Sequence, residues 1–538
     1  MNESCPRMQV QPFTVAGVIL HSPVRIRTDL LARACSGKHR LELPMKRSIK
    51  LLARNGLVVS ILFVPRSETT LRAQDAHQGA VGPRTVSALL VSDIHFEPFW
   101  DPAKAAQLEA APARSWDAIL SAPASADRQQ RFDTLEDSCH ARGLDTPYAL
   151  FKSSLTAIRA KTGAAGFAIV SGDLVAHGFS CKYGALFPQA STQAYSAFVV
   201  KTLDYVLYEL RNALSGVPVY SALGNNDSGC GDYQLDANSE FLRAAGAIFT
   251  EGFPAAAREE ARQTIGAGGY YSIALPAPME HARLVVLDDL FMSRKYSTCD
   301  GKPDAEIGAL QIAWLRRELE RAREHKEKVW VMGHIPPGID PFTTILKMRN
   351  VCGGKSPDEF LASDDLGKTI GNFGDVVRLA IFAHTHMDEL RLLKPTGSAT
   401  PQSAQAGVAV KLVSSISPIN GNNPSFTVAQ IDPETAVMMD YKVFVASNTT
   451  GVDAEWTREY DFAEAFHEPE FSAATLGKLI AGFAADPGVQ TTASQSYIRN
   501  YYVRDVSAQI KAFWPQYSCA LSNLTAESYR TCVCSPAQ

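Results

Sequence analysis

The chain has 538 residues, of which 46% are hydrophobic and 20% are charged, and its formal net charge at pH 7 is −4. This composition is ordinary for a soluble globular protein, and the length is enough for one large domain and a smaller one. The weak net charge gives no general reason to expect nucleic acid or an anionic membrane as a partner. Any anionic substrate must therefore be captured by a local site.

The N-terminal region divides into two predicted parts. Residues 1–44 show no clear periodicity, and we expect them to be an over-extended start that forms no domain. Residues 45–73 have the pattern of a secretory signal peptide, with a basic start, the apolar run Gly56–Val64 and the small residue Ala73 before the cleavage point. The apolar run is too short to span a bilayer, and a buried N-terminal helix of the mature protein is the alternative. We therefore expect an exported protein, periplasmic or extracellular, without stable membrane insertion.

Short apolar runs rich in β-branched residues recur through the rest of the chain and are separated by longer segments of helical character. This pattern is typical of a layered protein built from strands and helices. Helical spacing predicts a helix over Gln311–Lys328, with an Arg/Glu-rich face toward solvent. The predicted strands are Val86–Val91, Phe167–Val170, Val217–Tyr220, Arg283–Leu287, Val329–Met332, Leu379–Phe382 and Val408–Val413.

The last part of the chain differs from the middle. Phe426–Ile431 and Ala436–Tyr441 are predicted to pair as a hairpin across a short polar turn. After about residue 448 the strand signals fade into aromatic-rich helical segments such as Tyr497–Phe513. We predict a catalytic domain over residues 85–445 and a C-terminal helical subdomain over residues 446–538.

Cysteine usage agrees with export. Eight cysteines follow the predicted cleavage point: Cys139, Cys181, Cys230, Cys299, Cys352, Cys519, Cys532 and Cys534. An even number in an oxidising compartment favours disulfides, although the sequence leaves their pairing open. Cys532 and Cys534 could instead hold a metal, but no nearby His or second cysteine pair completes such a site.

Five polar clusters follow directly after five of the predicted strands. They are Asp93-Ile-His95, Gly172-Asp173, Gly224-Asn225-Asn226-Asp227, Gly333-His334 and His384-Thr-His386. Strand ends in open sheets are where distant segments converge on one site. Each cluster alone is weak evidence, because a single His after a strand is more often structural. Together they supply carboxylate, amide and imidazole ligands of the kind that two divalent ions of borderline softness prefer.

This series resembles the signature of the calcineurin-like metallophosphoesterases, and its details resemble the acid sphingomyelinase-like branch, which includes endopolyphosphatase-like members. Ala383 stands where that family usually has glycine. The resemblance covers the chain from about Val86 to the C-terminus and implies an α/β (α+β) fold, a four-layer α/β/β/α sandwich. It rests on Ser92-Asp-Ile-His95, Gly172-Asp-Leu-Val-Ala-His177, Gly333-His-Ile-Pro-Pro-Gly338, His384-Thr-His-Met-Asp-Glu389, Ser417-Pro-Ile-Asn420, Asn423-Pro-Ser-Phe426 and the segment Trp456–Leu476.

Carried over position by position, the resemblance implies two metal sites that share one carboxylate. The implied ligands of the first ion are Asp93, His95 and His386. Those of the second ion are Asn225, His334 and His384. Asp173 is the implied bridging residue. Zn²⁺ is the expected metal, with Mn²⁺ or Fe as alternatives. Two such ions roughly 3.5–4 Å apart can acidify a shared water and neutralise the charge that develops on a phosphoryl group.

One position departs from the usual pattern. Members of the family usually have Gly-Asn-His, in which the His contacts the phosphate or protonates the leaving group, and here Asn226 replaces that His. An amide donates a hydrogen bond but cannot deliver a proton at neutral pH. His177 matches a second active-site His of the branch and becomes the candidate acid, with a surface loop His as the alternative.

The sequence therefore predicts an exported two-metal phosphoesterase that uses a metal-activated hydroxide. Loss of one acid favours phosphoanhydrides, since their leaving group is already a stable anion, and endopolyphosphatases of the same branch also have Gly-Asn-Asn-Asp. Small phosphorylated compounds or polyphosphate are the expected substrates. The alternatives are a sphingomyelin or phospholipid phosphodiesterase and, in another class, an inactive protein that binds a phosphorylated ligand.

Overall fold

The computed structural model describes residues 85–163, 165–396, 407–503 and 508–535. The predictions for residues 1–44 and 45–73 lie outside these ranges. The strands of the described part, in chain order from β1 to β12, are Val86–Val91, Phe167–Val170, Val219–Ser221, Tyr271–Ala274, Ala282–Val286, Lys328–Met332, Val377–Phe382, Glu389–Leu393, Val408–Leu412, Ser425–Ile431, Met438–Ala446 and Trp456–Asp461.

The α-helices of the described part are numbered from α1 to α17. They are Ala105–Ala110, Trp116–Leu120, Arg128–Cys139, Tyr148–Thr162, Phe179–Leu186, Thr192–Leu214, Glu240–Phe249, Ala255–Gly268, Glu306–His325, Pro341–Leu346, Asp365–Gly371, Phe462–Phe466, Ala473–Ala484, Thr492–Tyr501, Ala508–Ala512, Trp514–Ala520 and Ala526–Cys534.

The strands form two six-stranded sheets. The first has the order β12-β11-β10-β1-β2-β3, and the second has the order β4-β5-β6-β7-β9-β8. In the first sheet β1, β2 and β3 are parallel, with Val91 opposite Val170 and Val170 opposite Ser221. In the second sheet β6 and β7 are parallel, with Met332 opposite Ile381. Parallel strands in this register end at the same level, so the segments that follow them start at one edge of each sheet.

The two sheets pack against each other, and helices cover the other faces. The ring of Phe167 in β2 meets the ring of Trp330 in β6 edge-on, with centroids 5.7 Å apart. The indole N–H of Trp330 also donates to the carbonyl of Ala436, at 2.9 Å. Helices α4 and α7 contact the first sheet, while α9 and α13 contact the second. The predicted α/β/β/α sandwich is confirmed.

Most predicted elements are confirmed, with shifted ends. The hairpin is present as β10 and β11, which pair antiparallel. The predicted strand Val217–Tyr220 begins two residues later, at Val219. The predicted helix Gln311–Lys328 is α9, which begins at Glu306 and ends at His325, because Lys326 adopts left-handed backbone that closes the helix.

The region predicted as a helical subdomain, residues 446–538, is not entirely helical. It supplies β12, which pairs antiparallel with β11 at the edge of the first sheet. The helices that follow pack on both sheets, with α12 against β11 and α13 against β8 and β9. The predicted helix Tyr497–Phe513 is wrong as a single element, because α14 ends at Tyr501 and α15 begins at Ala508. The domain boundary at residue 445 stays a prediction.

All eight cysteines after the predicted cleavage point are paired. The disulfides are Cys139–Cys181, Cys230–Cys299, Cys352–Cys534 and Cys519–Cys532. The disulfide prediction is confirmed, and the metal alternative for Cys532 and Cys534 is wrong because both sulfurs are bonded. Four disulfides fit an extracellular protein. Among the described helices, none is both long and apolar enough to cross a membrane.

Candidate metal centre

All seven predicted ligands lie together at the edge where the two sheets meet. The loops after β1, β2 and β3 bring them from the first sheet, and the loops after β6 and β7 bring them from the second. Five of the seven have left-handed backbone, with φ of 45° at Asp93, 43° at His95, 55° at Asp173, 70° at His384 and 67° at His386. Non-glycine residues rarely adopt this conformation, and such strain concentrates at functional sites.

The first group consists of Asp93, His95 and His386. The Nε2 atoms of His95 and His386 are 3.1 Å apart. The Oδ1 atom of Asp93 lies 3.7 Å from the first of these nitrogens and 3.4 Å from the second. All three side chains are buried. Their ligand atoms therefore converge on one point, as a bound cation requires.

The second group is built around Asp173. Its Oδ2 atom lies 3.1 Å from Nε2 of His334 and 3.4 Å from Nε2 of His95, so this carboxylate touches both groups. Nδ1 of His384 lies 3.3 Å from Nε2 of His334. The geometry places Asp173 between the two groups, where a bridging carboxylate would stand.

Backbone carbonyls fix the tautomers of two imidazoles. Nδ1 of His95 lies 2.9 Å from the carbonyl oxygen of Val175, and Nδ1 of His334 lies 2.8 Å from that of Ser171. A carbonyl oxygen only accepts, so each Nδ1 carries the hydrogen. The neutral ring then has its lone pair on Nε2, which faces the cluster. This arrangement is common for metal-binding histidines.

A carboxylate sets the direction of the Asn225 amide. Nδ2 of Asn225 donates to Oδ1 of Asp232 at 2.7 Å, and Oδ1 of Asn225 is buried with no hydrogen-bond donor among the described residues. Oδ1 of Asp93 is likewise buried with no donor in the described part of the chain. Buried oxygen atoms without partners are costly in protein interiors. Two such oxygens, of which that of Asp93 lies beside Nε2 of His95 and of His386, fit a pair of divalent cations.

The charge balance of the cluster leads to the same conclusion. Burial alone would lower the pKa of His95 and of His334, but nearby carboxylates, Asp173 first among them, raise it to about 9 and about 10. Burial lowers the pKa of His384 and of His386 to about 3. The buried carboxylates thus favour positive charge nearby, which protons on His95 and His334 supply when no metal is bound. Divalent ions would provide this charge without protonating the ligands.

Two buried carboxylates, which the sequence patterns did not indicate as functional, hold the ligand loops in place. Asp227 accepts from the backbone N–H groups of Leu174 and Gly224, at 2.8 Å and 3.0 Å. Asp289 accepts from those of His334 and Ile335, at 2.9 Å and 3.0 Å. In the sequence, Asp227 is the last residue of the cluster Gly-Asn-Asn-Asp, and Asp289 comes shortly after β5. Both lock the backbone beside a predicted ligand.

His177 also lies at this cluster. Its ring stacks on that of His95 with centroids 3.9 Å apart, and a quarter of its side chain is exposed. The buried carboxylate of Asp145 accepts from Nδ1 of His177 at 3.0 Å and from its backbone N–H at 2.7 Å. Burial alone would raise the pKa of Asp145, but the contact with His177 and other nearby cations lowers it. Asp145 therefore stays ionised and holds His177 with Nδ1 protonated.

Asn226 faces the carboxylate of Asp173. Its Nδ2 donates to Oδ2 of Asp173 at 2.9 Å, and its backbone N–H donates to Oδ1 at 2.8 Å. Gly224 makes this approach possible, because a Cβ atom there would stand 2.2 Å from Oδ1 of Asp173. The Asn226 amide thus orients the carboxylate of Asp173. This role requires hydrogen-bond donation and no proton transfer.

Comparison with known proteins agrees with this geometry. Residues 87–388 match the profile of the calcineurin-like phosphoesterase family, which is more than half of the chain. The chain belongs to this family and is a metal-dependent phosphoric ester hydrolase.

Three known proteins are similar to the chain over most of its length. The chain is 25% identical over 400 residues to the mouse cyclic GMP-AMP phosphodiesterase SMPDL3A, covering 72% of this chain and 82% of that protein. It is 24% identical over 403 residues to human acid sphingomyelinase-like phosphodiesterase 3b, covering 72% and 80%. Sphingomyelinase phosphodiesterase C of Dictyostelium discoideum is 22% identical over 352 residues, covering 62% and 70%. The similarity to phosphodiesterases of the acid sphingomyelinase-like group is thus spread over most of the chain.

Proposed function

We propose that the chain is an exported two-metal phosphoesterase that hydrolyses phosphodiester or phosphoanhydride bonds, with a preference for anhydrides. The observation that carries this proposal is the contact of Asp173 with both groups of imidazoles. The first ion would be held by Asp93, His95 and His386, and the second by Asn225, His334 and His384, with Asp173 between them. The mixture of imidazole nitrogens and carboxylate oxygens suits Zn²⁺, with Mn²⁺ or Fe as alternatives.

When bound, two divalent ions would acidify a shared water and draw charge from the phosphoryl oxygens. The chain contributes positioning. The carbonyl of Val175 holds His95 in the tautomer that directs Nε2 at the cluster, and Asp232 accepts from the amide nitrogen of Asn225 and so leaves the amide oxygen for a metal ion. Asn226 steadies the shared carboxylate of Asp173. These contacts prepare the ligands before substrate arrives, so little reorganisation is needed during reaction.

We assign the protonation of the leaving group to His177. Asp145 fixes its Nδ1, which leaves Nε2 as the nitrogen free to face a substrate. The carboxylate of Asp145 also holds the ring in place, as a group that passes a proton from Nε2 to a leaving group requires. Asn226 cannot share this task, because its amide has no proton to release at neutral pH. With a single acid available, anhydrides should be better substrates than alkyl esters, since their leaving group needs less protonation.

The second candidate is a phosphodiesterase that acts on sphingomyelin or another phospholipid, which the names of two relatives favour. An inactive binding protein is disfavoured, since a site without catalytic use has no reason to keep six of the seven predicted ligands in contact. Export is supported by the four disulfides.

A substrate panel on the purified mature protein tests the proposal. With the metal content measured, the rates on bis(p-nitrophenyl) phosphate, a nucleoside diphosphate, polyphosphate and sphingomyelin should show hydrolysis of the first two and little of sphingomyelin. Efficient hydrolysis of sphingomyelin with none of the anhydrides would favour the second candidate. No turnover of any substrate by protein carrying two metal ions would contradict the enzymatic proposal.

A further inference from the structure

An exposed lysine, Lys295, lies beside the proposed second metal site. The Nζ atom of Lys295 lies 3.4 Å from the hydroxyl of Tyr233 and 4.6 Å from the centre of its ring. Lys295 is exposed, and among the described residues no carboxylate oxygen lies within 4.0 Å of its Nζ. Its neighbour Arg294, by contrast, pairs with Glu359. Among the described residues, the ammonium of Lys295 therefore has no ion-pair partner that would compete with an anionic ligand.

Tyr233 connects this lysine to the metal centre. Its hydroxyl lies 3.2 Å from Nε2 of His384, whose Nδ1 faces Nε2 of His334. If His384 binds metal through Nδ1, its Nε2 carries hydrogen and donates to the hydroxyl oxygen of Tyr233. Lys295 donates to the same oxygen, which leaves the hydrogen of the Tyr233 hydroxyl unused. The pair thus presents an ammonium and a hydroxyl donor beside the second site.

The segment that carries Lys295 is held firmly against the loop that carries Tyr233. The backbone N–H of Ser297 donates to the carbonyl of Tyr233, and that of Leu235 donates to the carbonyl of Ser297, both at 3.1 Å. The disulfide Cys230–Cys299 joins the same two segments. The N–H of Tyr233 also donates to the carbonyl of Asn225, at 3.0 Å. Lys295 is therefore positioned relative to a predicted ligand by covalent and hydrogen bonds.

We propose that Lys295 and Tyr233 form a subsite for a second phosphate, the one joined to the scissile phosphate through the bridging oxygen. The inference rests on the proposed function of the metal centre and narrows its substrate class to compounds with linked phosphates, such as nucleoside diphosphates. The second phosphate carries negative charge that the metal ions do not neutralise. Charge-assisted hydrogen bonds from an ammonium and a hydroxyl suit this group.

The reaction adds charge at this subsite. Water supplies the oxygen that the scissile phosphorus gains, and one of its protons is released. The bond from that phosphorus to the bridging oxygen breaks, and its electron pair leaves on the second phosphate. The extra negative charge then lies next to Lys295. A single-phosphorus diester has no group to place there, so the subsite discriminates between the two substrate classes.

Three variants test this inference: Lys295→Met, the charge-preserving Lys295→Arg, and the control Lys302→Met, which removes an exposed lysine paired with Asp300. The readout is the ratio of kcat/KM for a nucleoside diphosphate to kcat/KM for bis(p-nitrophenyl) phosphate at saturating metal. We expect this ratio to fall about tenfold in Lys295→Met, the effect of one lost charge-assisted hydrogen bond. Lys295→Arg should restore most of the ratio, and Lys302→Met should leave it unchanged.

Inhibition gives a second readout that does not need turnover of the anhydride. The inhibition constant of methylenebisphosphonate, relative to that of methylphosphonate, should rise about tenfold in Lys295→Met, again as one charge-assisted contact is lost. An unchanged inhibition ratio together with an unchanged substrate ratio would overturn the subsite and leave the metal centre standing. If the wild-type protein hydrolyses no substrate, the dissociation constants of the two phosphonates, measured by calorimetry on metal-loaded wild type and Lys295→Met, still test the subsite separately from the proposed function.

Discussion

The Asp145→Asn substitution isolates the role of His177, because it replaces one oxygen of the carboxylate that fixes the ring. Asp145 accepts three hydrogen bonds, from the backbone N–H of His177, from its Nδ1 and from the hydroxyl of Ser417, at 2.7, 3.0 and 2.7 Å. Asparagine offers one accepting oxygen and one amino group. Whichever way the amide turns, its amino group meets a donor.

Two effects follow from this mismatch. One buried donor loses its acceptor, which costs about 1–3 kcal/mol of folding free energy. The ring of His177 also loses the carboxylate that holds it, so its Nε2 is no longer kept in position to protonate a leaving group. General acid catalysis typically contributes about 10²–10⁴-fold, and we expect kcat on an alkyl phosphodiester to fall by at least about 10²-fold. The fall on bis(p-nitrophenyl) phosphate should stay within about threefold, because nitrophenolate leaves without a proton.

The assay compares both substrates for wild type, Asp145→Asn and the control Asp486→Asn, with metal content measured in each. Asp486 serves as a control because it too accepts three hydrogen bonds, two from the backbone N–H groups of Gln490 and Thr491 and one from the Thr491 hydroxyl, at 2.7–2.8 Å. Asp486→Asn should lower stability without changing the ratio of the two rates. Equal falls on both substrates in Asp145→Asn, with two metal ions retained, would refute the assignment of His177 as the acid.

Four further outcomes are expected. Asp173→Ala should lose metal from both sites and reduce turnover to background, and metal analysis showing two ions with normal rates would contradict the shared-ligand assignment. Asn226→His should raise the rate on alkyl diesters more than on anhydrides, whereas equal changes would remove the argument for anhydrides. Asp232→Ala should weaken metal affinity by about 10–100-fold, measured by metal-dependent activity, because the Asn225 amide is no longer oriented. The backbone N–H of Gln490 lowers the pKa of Asp486 below the usual 3.8, so the stabilising contribution of this carboxylate is fully present above that pH and declines as pH falls further. In urea unfolding, the difference in free energy between wild type and Asp486→Asn should therefore begin to shrink as pH falls below 3.8, and a constant difference would contradict this.

The sequence predicted the elements whose burial is uniform. The strand β1 is almost wholly apolar, so its bounds matched the prediction. By contrast, β8 went unnoticed, because two of its five buried residues are Glu389 and Arg391. Their ion pair, at 3.1 Å, makes burial possible, and only the tertiary structure shows that the two charges meet.

The candidate site likewise contains residues that the sequence pattern indicated and residues that it did not. The five polar clusters follow predicted strands, so the pattern of apolar runs and polar residues was enough to find them, and the resemblance to the metallophosphoesterases then implied the seven ligands. Asp145, Asp232 and Lys295 lie in loops with no such signal, and they matter through contacts with residues brought close only by folding. Disulfide pairing was equally inaccessible, since the sequence separations range from 13 to 182 residues.

The position of the centre at the junction of the two sheets ties metal loading to completion of the fold. His95 and His386 touch although they are 291 positions apart along the chain. Closing so long a loop is entropically unfavourable until both sheets are assembled, so the unfolded chain offers no comparable site. Ligands that bind only the native state stabilise it by mass action, at about 1.4 kcal/mol for each tenfold excess of free metal over the dissociation constant. The ions would then act as cross-links between the two sheets. The metal concentration of the compartment would set the lifetime of the folded protein there.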